Sequence, residues 1–380
     1  MKNFDVAIVG GGIVGCSIAF ELAAEKLKIV VFDRQQAGRE ASWAAAGMLS
    51  PAPDSPRDLP LVPLAQESLR IYPEFVRALE EASGRAVDYT RKGTLQIFPS
   101  PSAEAQRDAM LAGHRELGLA SEPVSLAEAR KLEPALCPAA GAVLRLPQEE
   151  TVDPRLLMDA VLAAAINRGV EVRSGCPVTS VMQQGGHSTG VVASAEVIQA
   201  KHVIIAAGCY SAEVGGRMGL RIPSIPTRPV RGQMLALRRQ GLALRHVLRS
   251  ERGYLVPRSD GRIVAGSTLE DAGFDKSVTA AGVRQIREAA LELCPGLAGA
   301  ETLETWAGLR PGTPDDLPIL GFTDVEGLIL ATGHYRNGIL LAPITAKLVR
   351  DWIIDRSSRF DMQAFSPLRF QSVRRESATP

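Results

Sequence analysis

The sequence has few of the residues that mark metal-binding, disulfide-linked or nucleic-acid-binding proteins. Its 380 residues include five cysteines and five histidines, and the formal net charge is +1. The cysteines are odd in number and form no C-x-x-C pair, which favours reduced thiols in a cytoplasmic protein. The histidines show no local metal-ligand spacing, and we expect no metal site. A net charge this small argues against nucleic acid as the main partner.

The sequence also lacks an apolar run suited to a membrane. Its most apolar stretch, residues 6–24, is interrupted by a glycine cluster and by Glu21. No cleavage site of small residues follows this stretch, so we predict neither a signal peptide nor stable membrane insertion. With 46% hydrophobic and 22% charged residues, the chain can instead bury a full core, which we expect two intertwined domains to share.

The N-terminus carries a dinucleotide-binding pattern. An apolar run at residues 6–9 predicts a strand, which leads into the sequence GGGIVG at residues 10–15. A helix is expected from about residue 12 to residue 24. A second apolar run, at residues 29–32, ends on Asp33. This order of strand, glycine turn, helix, strand and acid predicts a dinucleotide site rather than an ordinary glycine-rich turn.

Each residue type in this pattern has a physical purpose. Gly10 permits a sharp turn, Gly12 leaves room for a diphosphate, and Gly15 lets the helix approach the strand closely. The free amides at the helix start can hold the pyrophosphate. Asp33 can accept hydrogen bonds from both ribose hydroxyls and would repel a 2'-phosphate, which disfavours NADP. The pattern alone does not distinguish FAD from NAD.

Two further segments are rich in small residues that would let a flat ligand lie against the backbone. Residues 41–49 read ASWAAAGML and follow directly after the dinucleotide unit. They predict a flavin-side wall in which Ser42 can donate to a phosphate, and the alternative is a short alanine-rich helix that only packs well. Ala207 and Gly208 follow a predicted strand and offer backbone contact to a cofactor.

Helices are predicted at residues 64–82, 103–117, 126–132, 153–168, 280–293 and 338–355. Strands are predicted at residues 94–98, 170–172, 178–182, 189–193, 197–199, 203–205, 233–237, 247–249, 253–256, 262–265 and 328–330. Residues 51–63 are rich in proline and should form an exposed connection. Ser125 and Glu128 should form a capping box, and the tail after Ser357 should be loosely held.

These elements predict an α/β (α+β) fold with two interleaved domains. The dinucleotide-binding domain should comprise residues 1–85, 147–219 and 306–365. An antiparallel-sheet substrate domain should comprise residues 86–146 and 220–305, and residues 366–380 form the tail. NAD dehydrogenases usually keep their cofactor domain in one piece, whereas many FAD enzymes do not.

The segment from residue 308 to residue 315 could hold a substrate. Arg310 precedes a proline, which favours an extended backbone, and its planar fork suits a carboxylate. The alternative is an ordinary ion pair with Asp315 or Asp316.

A second candidate segment lies between the last strand and the last helix. There, residues 331–339 could aim a helix start at a flavin and stabilise the negative charge of its reduced form. The alternatives are a satisfied polar loop residue for His334 and a surface charge for Arg336.

These motifs together resemble the D-amino acid oxidase superfamily, and within it the glycine oxidases linked to thiamine biosynthesis. The resemblance spans nearly the whole chain. The motifs that carry it are GGGIVG at 10–15, Ser42 with AAGML at 45–49, YLVPR at 254–258, GLRPG at 308–312 and GHYRNGILLAP at 333–343.

The resemblance implies a Rossmann-like FAD-binding domain and assigns roles to individual residues. Arg310 would bind the substrate carboxylate, Tyr254 would be a second donor, and Arg336 would lie beside substrate and flavin. The cofactor-binding set, including residues from the motifs above, is Gly10, Gly12, Ile13, Val14, Gly15, Asp33, Arg34, Ala41, Ser42, Ala46, Gly47, Met48, Val178, Ala207, Gly208, His334, Tyr335, Arg336, Asn337, Gly338, Ile339 and Leu340.

Two positions depart from the family pattern, since Asp33 replaces a frequent Glu and Tyr335 a more usual Phe. No cysteine lies between Trp306 and Trp352, where related sarcosine oxidases attach flavin covalently. The resemblance therefore implies FAD that is bound non-covalently.

The implied reaction is oxidation of glycine and similar small amines (sarcosine, small D-amino acids) by O2, which yields glyoxylate, ammonia or amine, and hydrogen peroxide. The family also suggests a homo-oligomer. Alternatives left open are a D-amino acid dehydrogenase that reduces a quinone and the flavin subunit of a glycine-oxidising complex such as hydrogen cyanide synthase. A non-catalytic flavin-binding protein and an NAD-dependent dehydrogenase are weaker alternatives.

Overall fold

A computed structural model describes residues 2–99, 101–217 and 225–370. The strands in chain order are β1 (Lys2–Val9), β2 (Ile29–Phe32), β3 (Met48–Leu49), β4 (Tyr89–Thr90), β5 (Thr94–Phe98), β6 (Glu122–Val124), β7 (Ala142–Leu146), β8 (Glu150–Val152), β9 (Glu171–Arg173), β10 (Val178–Gln184), β11 (His187–Ala193), β12 (Glu196–Ile205), β13 (Arg228–Arg238), β14 (Val247–Ser250), β15 (Gly253–Pro257), β16 (Ile263–Gly266), β17 (Glu301–Gly312), β18 (Ile319–Phe322) and β19 (Leu328–Thr332).

The helices are α1 (Ile13–Ala23), α2 (Ala41–Ala44), α3 (Val62–Ser83), α4 (Ala103–Glu116), α5 (Leu126–Leu132), α6 (Pro154–Asn167), α7 (Ser211–Arg217), α8 (Ala280–Leu293) and α9 (Gly338–Ile354). Short 3₁₀ helices lie at Pro56–Leu61, Gly208–Tyr210, Pro295–Leu297, Gln363–Phe365 and Pro367–Phe370. Within the described residues, no helix combines the length and the apolar character needed to cross a membrane.

The first sheet contains the dinucleotide pattern. Its strands run in the order β10-β11-β12-β1-β2-β9, with β19 beside β12 and β18 beside β19. Strand β1 lies parallel to both β2 and β12. Helices α1, α3, α6 and α9 bury their apolar faces in one core against this sheet, and a second core covers strands β10 to β12. All four residues of β2 are buried, as expected for a strand covered on both faces.

The second sheet has the order β17-β13-β16-β15-β14-β5-β7-β6. All of its strand pairs are antiparallel except β14 with β5. Its two longest strands, β13 and β17, pair along most of their length. Helices α5 and α8 bury their apolar residues in a core against this sheet. A small third sheet has the order β3-β8-β4. Along the chain, its strands lie between strands of the two large sheets.

The first turn of α9 is tied to α3 by side chains. Pro343 lies inside α9 and has no N–H to donate to the Ile339 carbonyl one turn earlier. The Tyr72 hydroxyl donates to that carbonyl at 3.2 Å, and the Ser68 hydroxyl donates to the Leu340 carbonyl at 2.6 Å. Both hydroxyl-bearing residues are fully buried. Side chains of α3 therefore fix the position of the first turn of α9.

Three expectations need correction. Residues 51–63 are not a wholly exposed connection, because Pro56–Leu61 forms a 3₁₀ helix with Leu61 buried. The tail is not loose as far as residue 370, because Phe365 is buried and Arg369 binds Asp315 at 2.8 Å; residues 371–380 lie outside the described ranges. Ser125 accepts from the Glu128 N–H at 3.2 Å, but the described hydrogen bonds do not include the return bond of a capping box.

Candidate active site

A cavity of about 920 Å³ is lined by residues of both large sheets. Its volume lies at the upper end of the range common for small-molecule sites. The predicted residues in its wall are Gly10, Gly12, Ile13, Val14, Asp33, Arg34, Ala41, Ser42, Ala46, Gly47, Met48, Val178, Ala207, Gly208, Tyr254, Arg310, His334, Tyr335, Arg336, Asn337, Gly338 and Ile339. Segments far apart in sequence therefore meet at one site.

Two predicted cofactor residues do not line the cavity. Gly15 lies behind the glycine turn, where a Cβ atom would come within 2.0 Å of the Gly10 carbonyl oxygen. This close approach agrees with the predicted packing role of Gly15, and the structure shows no exposure of Gly15 to the cavity. Leu340 is buried in the core beneath α9, because successive residues at a helix start face different sides.

The glycine turn leaves an open amide cradle at one end of the cavity. Gly10 has a φ of +112°, which a side chain would disfavour, and a Cβ there would lie 2.3 Å from the Ala206 carbonyl oxygen. The Ile13 N–H donates to Ser42 Oγ at 2.9 Å, which leaves the Ser42 hydroxyl hydrogen free to donate to a ligand. A Cβ on Gly12 would meet only this Oγ, at 3.2 Å. The cradle fits a diphosphate.

Asp33 lies beside this cradle and fixes its backbone. Its Oδ2 accepts from the Gly11 N–H at 2.9 Å, and its Oδ1 accepts from the Gln35 N–H at 2.9 Å. Burial raises the pKa of the Asp33 carboxyl, although both backbone donors act in the opposite direction. Each carboxylate oxygen can accept a second hydrogen bond, so Asp33 can still accept from a ribose hydroxyl.

A cation and an aromatic ring flank the same end of the cavity. The Arg34 guanidinium lies 3.2 Å from the centroid of the Tyr210 ring, within the range of a cation–π contact. Phe274 stacks on Tyr210 with ring centroids 5.0 Å apart. Glu40 pairs with Arg34 at 3.7 Å and with Lys276 at 3.1 Å. Residues 274 and 276 lie in the connection between β16 and β17 of the second sheet, so these contacts join the two halves of the molecule.

The small-residue segment after Asp33 lines the cavity and contains the short helix α2, so the helix alternative is correct at Ala41–Ala44 and the flavin-side wall stays a prediction. The Ala44 carbonyl accepts from Trp306 Nε1 at 3.0 Å. A Cβ on Gly308 would lie 2.4 Å from the Ala44 Cβ. The buried Arg258 donates to the Ala46 and Val152 carbonyls. The second sheet thus holds the wall in place.

Arg310 lies on β17 with its guanidinium over Gly232 of the neighbouring β13. A Cβ on Gly232 would come within 2.3 Å of Arg310 Nη1. The guanidinium donates from Nη2 to Ser267 Oγ at 2.6 Å and from Nη1 to the Thr268 carbonyl at 3.2 Å. These partners are uncharged, so they position the cation without neutralising it.

The ion-pair alternative for Arg310 is wrong. Asp315 binds Arg369 at 2.8 Å, and Asp316 lies 4.0 Å from Arg228. Among the described residues, Arg310 forms no ion pair. Burial lowers the pKa of Arg310, but a guanidinium stays protonated in proteins. A cation that is partly withdrawn from water and has no acidic partner favours the binding of an anion.

Tyr254 lies on the same wall. Its hydroxyl contacts Met234 Sδ at 3.4 Å, a weak interaction that leaves it available as a donor. Tyr254 and Arg310 both line the cavity. The cavity therefore offers a guanidinium and a hydroxyl to one ligand.

The segment before α9 lines the cavity beside the end of β17, where the Tyr335 N–H donates to the Pro311 carbonyl at 3.0 Å. His334 is buried, and its Nε2 lies 3.1 Å from Thr345 Oγ1, so its side chain is the satisfied polar group that the alternative described. Burial lowers the pKa of His334 to about 4. Arg336 is a half-exposed surface charge that pairs with Asp54 at 2.6 Å. It also lines the cavity beside Tyr335.

Several residues of the cavity wall were not predicted from the sequence. Four of them are Gly232, Ser267, Tyr210 and Arg249. A glycine inside a strand often marks a close approach, so Gly232 carried a usable signal. The other three carried none, because their places depend on strand register and on contacts between distant segments.

The fold and the cavity define a dinucleotide-binding oxidoreductase. One part of its cavity wall carries a cation, Arg310. The chain belongs to the FAD dependent oxidoreductase family (DAO), which matches residues 5–352. This finding confirms the predicted D-amino acid oxidase-like fold and FAD as the cofactor, and it excludes the NAD reading. The amide cradle, the free Ser42 hydroxyl and the wall of small residues all fit this cofactor.

Known proteins resemble the chain over nearly its full length. It is 36% identical over 381 residues to the bifunctional protein ThiO/ThiG of Trichormus variabilis, which covers 99% of this chain and 56% of that protein. It is 34% identical over 377 residues to the glycine oxidase of Geobacillus kaustophilus, with 97% of each chain covered. The crystal structure of glycine oxidase from Geobacillus kaustophilus has a TM-score of 0.91 at 32% identity and covers 96% of this chain and 98% of that chain. The chain therefore spans about half the length of the bifunctional relative but nearly all of the glycine oxidase.

Proposed function

We propose that this chain is an FAD-dependent oxidase of glycine and similar small amines, such as sarcosine and small D-amino acids. Its products would be glyoxylate or another 2-oxo acid, ammonia or an amine, and hydrogen peroxide, in support of thiamine biosynthesis. The observation that carries the proposal is the half-buried guanidinium of Arg310 in the cavity wall, which has neutral acceptors around it but no ion pair among the described residues. The similarity to glycine oxidase and to ThiO/ThiG supports this choice of substrate.

The proposed roles follow from the residues' positions. Arg310 would bind the substrate carboxylate as a planar fork, and the Tyr254 hydroxyl would donate to the same group. Arg336, which already pairs with Asp54, would border the substrate on the side of α9. Holding the carboxylate in this way fixes the direction of the α C–H bond. When bound, FAD supplies the acceptor of that hydride and passes the electrons to O2.

The neutral form of the substrate amine would be the reacting form. His334 is unsuited to the role of base, because its imidazole is buried against Thr345. Wall residues of the cavity would hold FAD without a covalent bond, with the glycine turn and Ser42 at the diphosphate and Asp33 and Arg34 near the ribose and adenine. The N–H groups at the start of α9 would favour negative charge on the flavin.

The proposal extends to cellular context. All five cysteines are free, which supports a cytoplasmic enzyme. The family resemblance supports a homo-oligomer.

The test is oxygen uptake by the purified yellow protein with glycine, sarcosine, D-alanine and D-proline. Uptake with glycine, accompanied by hydrogen peroxide, is the expected result. An enzyme that oxidises these amines with a quinone but not with O2 would be a dehydrogenase and would contradict the oxidase proposal. Absence of turnover with every amine and both acceptors would reject the proposed substrate class.

A further inference from the structure

The cavity continues past Tyr254 along the face of the second sheet. Arg249 on β14 is the register partner of Tyr254 on β15, and Gln96 on β5 is the register partner of Arg249. Directly paired residues on neighbouring strands face the same side of a sheet, with Cβ atoms about 5 Å apart. All three line the cavity. Glycine bound at Arg310 would leave this extension unused.

Arg249 is held in a fixed orientation. Its Nε donates to Gln96 Oε1 at 2.7 Å, and its Nη2 donates to Glu149 Oε1 at 3.0 Å. The Ser50 hydroxyl donates to the same Glu149 oxygen at 2.6 Å. Gln96 and Glu149 are buried. These bonds are local to the extension and resemble the supporting contacts of a preorganised site.

One nitrogen of Arg249 remains available. Its Nη1 forms no hydrogen bond within the described part of the chain, and it is not among the buried atoms that lack a partner. Arg249 lines the cavity, so a ligand that enters this extension can reach its side chain. A guanidinium N–H donates most strongly to a carboxylate.

The other residues at this end are compatible with such a ligand. Phe98 and Met110 add apolar surface for methylene groups. His114 is buried, and burial lowers its pKa, so it is neutral near pH 7. Glu251 and Arg252 are exposed, and Arg252 pairs with Glu292.

We infer that the Arg249 end of the cavity binds the far carboxylate of a glycine whose amine nitrogen carries a carboxyalkyl group. Arg310 would hold the glycine carboxylate, as in the proposed function on which this inference rests. Loss of a hydride and a proton from the glycine unit gives an imine, and water hydrolyses it to glyoxylate and a primary amino acid. The two electrons reduce O2 to hydrogen peroxide, so the reaction balances.

The experiment compares matched acids and amides. N-(carboxymethyl)glycine, N-(2-carboxyethyl)glycine and N-(3-carboxypropyl)glycine are each assayed against the primary amide of their far carboxyl group. Hydrogen bonds to charged groups contribute about 1.5–3 kcal/mol, so we expect at least one acid to exceed its amide in kcat/KM by about tenfold or more. A ratio of one or less at every chain length would overturn the inference.

The variants test whether Arg249 causes the preference. The double substitution R249Q/E149Q removes both charges together, so that neither is left buried without its partner, and should bring the acid-to-amide ratio close to one. If that protein does not bind FAD, R249K provides a second test, because its ammonium should stay on Glu149 and lower the ratio severalfold. A ratio that survives in a folded variant would contradict the role of Arg249.

The outcomes separate this inference from the proposed function. Oxidation of glycine or sarcosine without a preference for any acid leaves the function standing and rejects the extended site. If no amine is oxidised, the proposed function fails, and the same acid-to-amide ratio is then read from dissociation constants. These are measured by titrating the flavin absorbance, and tighter binding of an acid that is lost in R249Q/E149Q still supports the site.

Discussion

At the scale of single residues, Arg310 is the side chain that we propose selects the ligand of the cavity. Its hydrogen bonds to Ser267 and Thr268 set the orientation of the guanidinium. Neither partner removes the charge, so the free energy of binding an anion is retained. Gly232 gives the guanidinium its place, because any side chain there would occupy the same space.

Removal of this charge should weaken binding of the amino acid. For Arg310→Met we expect the KM for glycine to rise by about thirty- to several-thousandfold, which corresponds to the 2–5 kcal/mol cost of breaking a buried charge pair. Steady-state kinetics with glycine measure the effect. Arg70→Met is the matched control, because Arg70 is an exposed residue of α3 that pairs with Glu67. An unchanged KM in Arg310→Met would show that the carboxylate binds elsewhere.

Ser267 should act through Arg310. In Ser267→Ala the guanidinium loses one acceptor, and a typical hydrogen bond contributes about 1 kcal/mol. We expect the KM for glycine to rise about five- to tenfold with a smaller change in kcat. Ser267→Thr keeps the hydroxyl and should restore most of the affinity. Equal KM values for wild type and Ser267→Ala would show that the carbonyls of Thr268 and Arg231, which accept from Arg310 Nη1 at 3.2 and 3.4 Å, position the guanidinium by themselves.

His334 makes stability depend on pH in a defined window. Burial lowers its pKa to about 4 in the folded chain, against about 6.5 in an unfolded one. The unfolded state therefore binds the proton first, so this contribution to stability is complete above pH 6.5 and falls as the pH drops towards 4. At pH 5 the loss should be about 2 kcal/mol.

His334→Gln should remove that dependence. Urea unfolding at pH 7 and pH 5 should show a smaller loss of unfolding free energy for the variant than for wild type. The comparison between the two proteins cancels the titration of other groups. Equal losses would show that the imidazole accepts a proton in the folded state.

At the scale of elements, the packing of α1 onto β1 sets the geometry of the diphosphate cradle. Gly15 allows the contact, because a Cβ there would lie 2.0 Å from the Gly10 carbonyl oxygen. Gly113 offers a comparison, since it also lies inside a helix, α4, but a Cβ there would meet nothing within 4 Å.

The two glycines should respond in opposite directions to the same substitution. Gly113→Ala should raise the free energy of unfolding by up to about 1 kcal/mol, because alanine favours the helix. Gly15→Ala should lower it by about 1–3 kcal/mol through overpacking and should weaken FAD binding. Urea unfolding and titration of the apoprotein with FAD measure both effects. Undiminished FAD affinity in Gly15→Ala would contradict the proposed geometry of the cradle.

Elements with strong local signals were predicted well from the sequence. The helices Leu126–Leu132 and Ala280–Leu293 and the strand Thr94–Phe98 have the predicted bounds. Strand β17 was missed because Gly308, Pro311 and Gly312 are poor strand residues, and its pairing with β13 compensates for them. That pairing joins residues 63 to 84 positions apart, so no local sequence pattern can indicate it.

At the scale of the whole molecule, the site exists because two sheets of different kinds share one cavity. Motifs predicted the members of the wall that lie in glycine-rich turns. They did not predict Arg249 or Tyr210, which enter through strand register and through a stack across the two halves. The alternative for Arg310, an ion pair with Asp315 or Asp316, is wrong for the same reason, because Arg369, from a distant segment of the chain, is the partner of Asp315.

The central claim is that Arg310 holds an amino acid carboxylate against FAD. Its most direct test is addition of glycine to the purified flavoprotein without air while the visible flavin absorbance is followed. We expect wild type to lose this absorbance and to recover it with formation of hydrogen peroxide when O2 is admitted, and Arg310→Met to bleach far more slowly at the same glycine concentration. Failure of glycine to bleach the wild-type flavin, or equally fast bleaching of Arg310→Met, would contradict the claim.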